Sequence, residues 1–242
     1  AEGSTLRSSI HAAQRPIAFG SQDAERCGAV IKALADAQVF QTPTLALNTR
    51  GAFRQFLEPR QRDPFQYLPA AVRDNWNAFA DGAADTPIDP AYVAFANWSL
   101  GMVGQLQEAG VPIMTGTDTP IGLLTPGFSL HLEMEMLVKA GLSPQDALAS
   151  ATLRPAASVS LEETMATIEA GKNTELDLLT PNPREDLSNT RTHATHLPIS
   201  TLPYPAALAP IMNRPAPRTG AHDVPTRVVH ILTSISRPSR ST

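Results

Sequence analysis

Gly110-Val111-Pro112-Ile113-Met114-Thr115-Gly116-Thr117-Asp118-Thr119-Pro120 decides how the chain is read. A short apolar run ends in small residues, and one carboxylate stands just past its end. A buried parallel strand presents a side chain at the mouth of an α/β barrel in this way. On that reading the apolar side chains hold the strand in the core. Gly116 lets the backbone approach a neighbour closely, and Asp118 is aimed at a pocket. The same letters also fit a strand followed by an Asp-Thr-Pro turn, with Asp118 as a turn former.

The preceding segment supports the strand. Asp89-Pro90 pairs an N-cap with proline at the first helical position, and Tyr92, Phe95, Trp98, Val103 and Leu106 follow at helical spacing. Gly110 closes that helix and feeds straight into residues 111–115. Helix running into strand is the repeating unit of a parallel α/β fold. Further upstream, residues 21–37 predict a helix capped by Ser21, with Cys27, Val30, Ile31 and Leu34 on its apolar face. Residues 38–47 predict a strand, although Pro43 interrupts it. Between them, residues 48–90 form a long excursion bearing Phe53, Phe56, Phe65, Tyr67, Trp76 and Phe79, with a helix over 69–80. A connection of this length is functional or carries its own helices. The main expected use of its aromatics is packing, with the lining of a pocket second.

Downstream, Pro126-Gly127-Phe128-Ser129-Leu130-His131 opens a helix on which His131 and Glu135 share a face and Glu133 does not. The helical zinc motif needs two histidines, and this run has one. Ser143-Pro144-Gln145-Asp146 starts another helix, expected to end near Arg154-Pro155. From Thr192 prolines and arginines accumulate, which predicts a largely irregular tail with one strand-like stretch over 226–235. His193 and His196 have the spacing of a metal-binding pair, but a flexible tail gives that spacing little weight.

In order and spacing, Asp118, His131, Glu133, Lys139-Ala140-Gly141-Leu142, Ala151-Thr152-Leu153-Arg154-Pro155-Ala156, Thr167-Ile168-Glu169-Ala170-Gly171-Lys172 and Asn182-Pro183 carry a likeness to a known family. They resemble the C-terminal half of the metal-dependent amidohydrolases, in the branch near imidazolonepropionases and prolidase-like dipeptidases. The resemblance is specific over 108–186, looser over 8–107 and absent after about 192. It implies an α/β fold: a partial TIM-like (β/α) barrel over residues 1–158, about the last three strand–helix units. A remnant of a small β-sandwich follows over 159–191, then a Pro/Arg-rich, largely irregular tail over 192–242. It makes 38–47 a barrel strand and places Ile168 and residues 176–179 in two sandwich strands joined by a turn at 170–172. Asp177 then stands where the family has a buried aliphatic residue, and an unpaired carboxylate there costs several kcal/mol.

The resemblance also assigns roles. Asp118 is the catalytic carboxylate and a metal ligand, and His11, after Ser8-Ser9-Ile10, is a second ligand. Thr117, His131 and Glu133 are groups that orient the substrate. The implied cofactor is a divalent metal, zinc by preference, which brings the pKa of a bound water near neutrality. The implied reaction is hydrolysis of a C–N bond (amide, cyclic amide or peptide) or of an ester. The family's His-x-His has no counterpart in this chain, and its lysines are only Lys32, Lys139 and Lys172. A complete metal site therefore needs ligands from elsewhere, and a truncated chain is expected. Two alternatives stay open: a non-catalytic α/β fragment that self-associates over exposed sheet edges, and a remodelled site using Asp118, His131 and Glu135 without metal.

Composition sets the bounds. With 242 residues the chain can bury one core plus a small appendage. Hydrophobic content of 42% and charged content of 17% describe an ordinary globular protein, and a net charge of −4 argues against a general nucleic-acid binder. The single cysteine, Cys27, excludes an intrachain disulfide and is expected to be a buried small apolar residue. No apolar run is long enough to span a membrane and no signal peptide is visible, so a cytoplasmic protein is expected. The start at Ala1-Glu2-Gly3-Ser4, without Met, suggests a processed or excised piece. The expected partners are a small-molecule substrate and further copies of the chain.

Overall fold

Asp23 starts the first long helix, accepting from the backbone N–H groups of Glu25 (3.0 Å) and Arg26 (3.1 Å). The computed structural model describes residues 14, 17, 19–167, 169, 172–173, 176–179, 181–197 and 228–230. They fall into two compact units, residues 1–143 and 144–242.

In the first unit, helix α1 (Ala24–Asp36) follows Asp23, so Asp23 and not Ser21 is the cap. The Ser21 hydroxyl instead donates to the Ile17 carbonyl (2.7 Å), closing the preceding turn. Ile31 is buried on α1, Val30 is exposed and Cys27 is only half-buried, which corrects the apolar face read from the sequence.

The expected strand over 38–47 shrinks to one ladder residue. Gln41 accepts from Met114 N–H (2.8 Å) and donates to the Pro112 carbonyl (2.9 Å), a parallel bridge to Ile113. The strand over 111–115 is likewise reduced to that bridge, although Val111 and Ile113 are both buried. Pro43 has no N–H to continue the ladder. Thr44 then turns into the left-handed region (φ 50°), and helix α2 (Leu45–Phe53) begins at once. Thr44 gives α2 no side-chain cap; the Glu133 carboxylate takes that role.

The excursion is helical. A 3-10 turn (Gln55–Leu57), one α turn, α3 (Pro59–Arg62), and a second 3-10 turn (Asp63–Tyr67) lead to α4 (Ala70–Ala84). Phe56, Phe65, Ala80 and Leu123 form its core, with Leu57, Leu68, Trp76 and Ala83 against them. Phe65 meets Trp76 edge-on at 5.2 Å between centroids, so the aromatics serve packing first, as expected. Helix α5 (Pro90–Glu108) starts at Asp89, whose carboxylate accepts from Ala91 N–H (2.8 Å), and ends before Gly110 at φ 80°. Its buried residues Ala96, Ser99, Val103 and Leu106 recur at helical spacing. Helix α6 (Phe128–Lys139) buries Leu132, Glu133, Met134 and Leu137.

A Cβ placed on Gly104 would lie 2.8 Å from the Ala140 carbonyl oxygen at the end of α6. Backbone cannot yield as a side chain can, so Gly104→Ala is expected to cost about 1–3 kcal/mol. Urea unfolding measures this, and an unchanged midpoint would show that α5 and α6 separate freely.

In the second unit, α7 (Pro144–Ala151) stops earlier than expected, because Thr152 leaves helical geometry (φ −131°, ψ −80°). Pro155 then lies in the first turn of α8 (Leu153–Ser158), where its missing N–H costs nothing. Strand β1 (Leu176–Leu179) lies between β2 (His193–Leu197) and β3 (Val228–His230), antiparallel to both. Asp177 is in register with His196 on one side and His230 on the other. Asp177 is buried and has a partner, so the penalty of an unpaired carboxylate does not arise. Within the tail read as largely irregular, residues 193–197 and 228–230 are strand. Ile168 and most of the 170–172 turn lie outside the described residues. The described residues are mostly helical; the expected α/β character survives in unit one as the single parallel bridge.

Candidate active site

The loop after the extended segment is fixed by its own apolar residues. Leu123 enters the core of the excursion, and Leu124 packs with Ala46 and Leu132. Thr119 Oγ1 donates to the Leu124 carbonyl (2.6 Å), and the Thr119–Pro120 peptide is cis. Gly116 lies so close to the Thr42 methyl that any Cβ there would collide, which is the close approach the sequence predicts. Thr117 is buried, and the chain then turns through Asp118 at φ 53° with its carboxylate exposed. Asp118 thus stands exposed two residues past Gly116, in a loop anchored by Leu123 and Leu124.

Glu133 is fully buried, and its two oxygens accept from Leu45 N–H (2.8 Å) and Ala46 N–H (2.6 Å). Those are orphan donors of the first turn of α2, and a negative charge is favoured there by the helix dipole. Burial pushes the carboxyl up to about 7, against the pull of the two backbone hydrogen bonds. With both oxygens held by backbone, Glu133 orients α2. His131 is half-buried on the same helix. Glu135 receives Arg60 in a fork, Nη2 to Oε2 at 3.0 Å and Nη1 to Oε1 at 3.4 Å. His11 lies outside the described residues.

Among the described residues, no three His, Cys, Asp or Glu side chains come together as a metal-binding group. Glu133 is held by backbone and Glu135 by Arg60, and exposed Asp118 and half-buried His131 each make an interaction of their own. A catalytic zinc takes three protein ligands, so the described donors do not fit one.

The sequence reading gave the lining of a pocket only as the second use of the excursion's aromatics, and a cleft lined by Phe56 and Phe79 among others lies beside this loop. It has a volume of ≈ 930 Å³, within the range of small-molecule sites, and opens among α2, α4 and the start of α5. Arg50, Arg54, Phe79, Asp89 and Tyr92 line it, and Ile121 and Gly122 bring the Asp118 loop to its wall. Arg54 Nη1 donates to the carbonyls of Ala83 and Thr86 (both 2.6 Å), fastening the end of α4. The available signal was the pair of arginines at the start of the excursion, set among its aromatics. No helix among the described residues is long and apolar enough to cross a membrane.

Among curated proteins none matches this chain. Among solved structures, the chain is similar to a Xaa-Pro dipeptidase determined with methionine bound in its active site. The two are 20% identical with a TM-score of 0.48, and the match covers 73% of this chain and 36% of the dipeptidase chain. The chain therefore spans about a third of that protein's length. Through residues 101–197, from the second half of α5 past Asp118 and α6 into the second unit, the chain matches the amidohydrolase family.

Proposed function

We propose that this chain serves a hydrolase of C–N bonds, in amides, cyclic amides or peptides, with esters as a further substrate class. One observation carries the reading: the family match encloses Asp118, which stands exposed just past the buried extended segment. A carboxylate so placed accepts a proton from an attacking water as its oxygen adds to the carbonyl carbon. It returns that proton to the nitrogen as the C–N bond breaks, leaving an acid and an amine. The cleft that the Asp118 loop borders would hold a small-molecule substrate. Amidohydrolases generally use divalent metals, and zinc is the first to try. Its further ligands would come from outside the described residues, His11 among the candidates.

The test is turnover of a dipeptide, amide, cyclic amide and ester panel by the purified chain, alone, with added zinc and with chelator. Elemental analysis and sedimentation run alongside. Chelator-sensitive hydrolysis with about one metal per chain supports the reading. No turnover under any condition overturns it for this chain, and assembly without metal would then support a self-associating, non-catalytic fragment.

A further inference from the structure

A small cavity of ≈ 10 Å³ lies behind the wall of the cleft, and the two share Arg50, Phe56 and Gly122. Four uncharged polar residues line it beside Arg50: Gln55 and Gln61 from the excursion, Thr125 and Ser129 from the loop and first turn of α6. All four are more than nine-tenths buried. Each brings one buried atom that no protein group satisfies: Gln55 Oε1, Gln61 Nε2, Thr125 Oγ1 and Ser129 Oγ.

The identity of the Gln55 atom follows from its other contacts. Thr49 donates its hydroxyl proton to the Leu45 carbonyl (2.8 Å) and can then only accept. The Gln55 amide nitrogen therefore faces Thr49 (3.0 Å), which leaves the carbonyl oxygen as the orphan. The set is one acceptor, one donor and two hydroxyls that do either. That complement matches a water molecule, which donates twice and accepts twice, and the volume matches one water. Arg50 on the same wall disfavours a cation. Left unsatisfied, four such groups would cost an amount comparable with the whole stability of a domain.

We propose that the cavity holds one water molecule bonded to these four side chains. It ties the excursion to the loop that carries Asp118, a link no direct bond among the four supplies. The proposal is independent of the hydrolytic reading.

A crystal structure of the full chain tests it directly. The expected result is an ordered water about 2.7–3.2 Å from at least three of the four atoms. Direct bonds among the four, or a cavity without density, overturn the proposal. Ser129→Ala and Gln61→Met test it in solution. Each is expected to lower Tm by about 3 °C, because a partner of the water is lost. The double variant is expected to lose less than the sum, because both act on the same water. A rise in Tm on Ser129→Ala would mean that the hydroxyl was buried without any partner, and strict additivity would mean that no shared water exists.

Discussion

Glu133→Ala is expected to destabilise the chain by about 3–5 kcal/mol. The substitution empties a fully buried volume and strips two acceptors from the first turn of α2. Thr44 offers no side-chain replacement, and the two donors belong to Leu45 and Ala46, both fully buried, so water cannot take over. Glu133→Gln keeps one acceptor but turns an NH2 group toward a backbone N–H, and about 1–2 kcal/mol is expected to go. Urea unfolding at pH 8, where the wild-type group is ionised, gives both values. Equal stability of wild type and Glu133→Ala would mean that α2 starts on its own propensity and that the carboxylate is incidental.

The same group sets a pH dependence whose sign follows from its environment. Its folded-state value is raised from 4.5 to about 7, so the folded chain keeps a proton that the unfolded chain has already released. Between about pH 4.5 and 7 the stability contributed by Glu133 therefore falls as pH rises, by roughly 3 kcal/mol in total. Above pH 7 both states are ionised and the contribution is flat. The wild-type chain should show this decline across the window relative to Glu133→Gln, which has nothing to titrate at that position. A difference between the two that does not change with pH would mean that the carboxyl is hydrated in the folded chain.

What the sequence revealed and what it concealed divide by range. The start of α5 was readable because Asp89 and Pro90 act within one turn of the helix they begin, and Gly110 ends it by its own backbone freedom. The start of α2 was not readable, because its cap is 88 residues away on α6. Residues 38–47 have the apolar content of a strand, and no local rule announces that Glu133 will seize the N–H groups of Leu45 and Ala46 and wind the chain into a helix. The same long-range bond explains why Glu133, read as a group near a pocket edge, is found beneath a helix terminus. Asp118 was legible only in part. Its setting depends on the residues beside it, a buried run before it and an anchored loop after it; the reading aimed the carboxylate at a pocket, and the structure has it exposed, with Ile121 and Gly122 rather than Asp118 on the wall of the cleft. The cleft was foreshadowed only by the second use given to the excursion's aromatics, of which Phe56 and Phe79 line it; its shape depends on how three helices of that stretch pack, which no local pattern states.

Asp118→Asn is expected to lower kcat/KM by about 100-fold or more on the substrate the chain turns over fastest, with a loss of stability no larger than about 1 kcal/mol, the most that an exposed carboxylate's interaction contributes. Asparagine is the informative choice. Asp118 has φ 53°, a region that asparagine enters readily and alanine does not, so Asp118→Ala would mix backbone strain with the loss of a carboxylate. The asparagine amide keeps the size and the turn and removes the negative charge, and with it the carboxylate's capacity to accept a proton. Because the side chain is exposed, no burial changes with it. The rate and the urea midpoint together separate the two readings that the sequence left open. Lost turnover with at most a small shift of the midpoint makes Asp118 the reacting carboxylate. Retained turnover makes it the turn former, and the proton acceptor must then be sought among the residues that line the cleft. Loss of both would assign the carboxylate to holding the loop, through the interaction it makes there, beside the anchoring by Leu123 and Leu124.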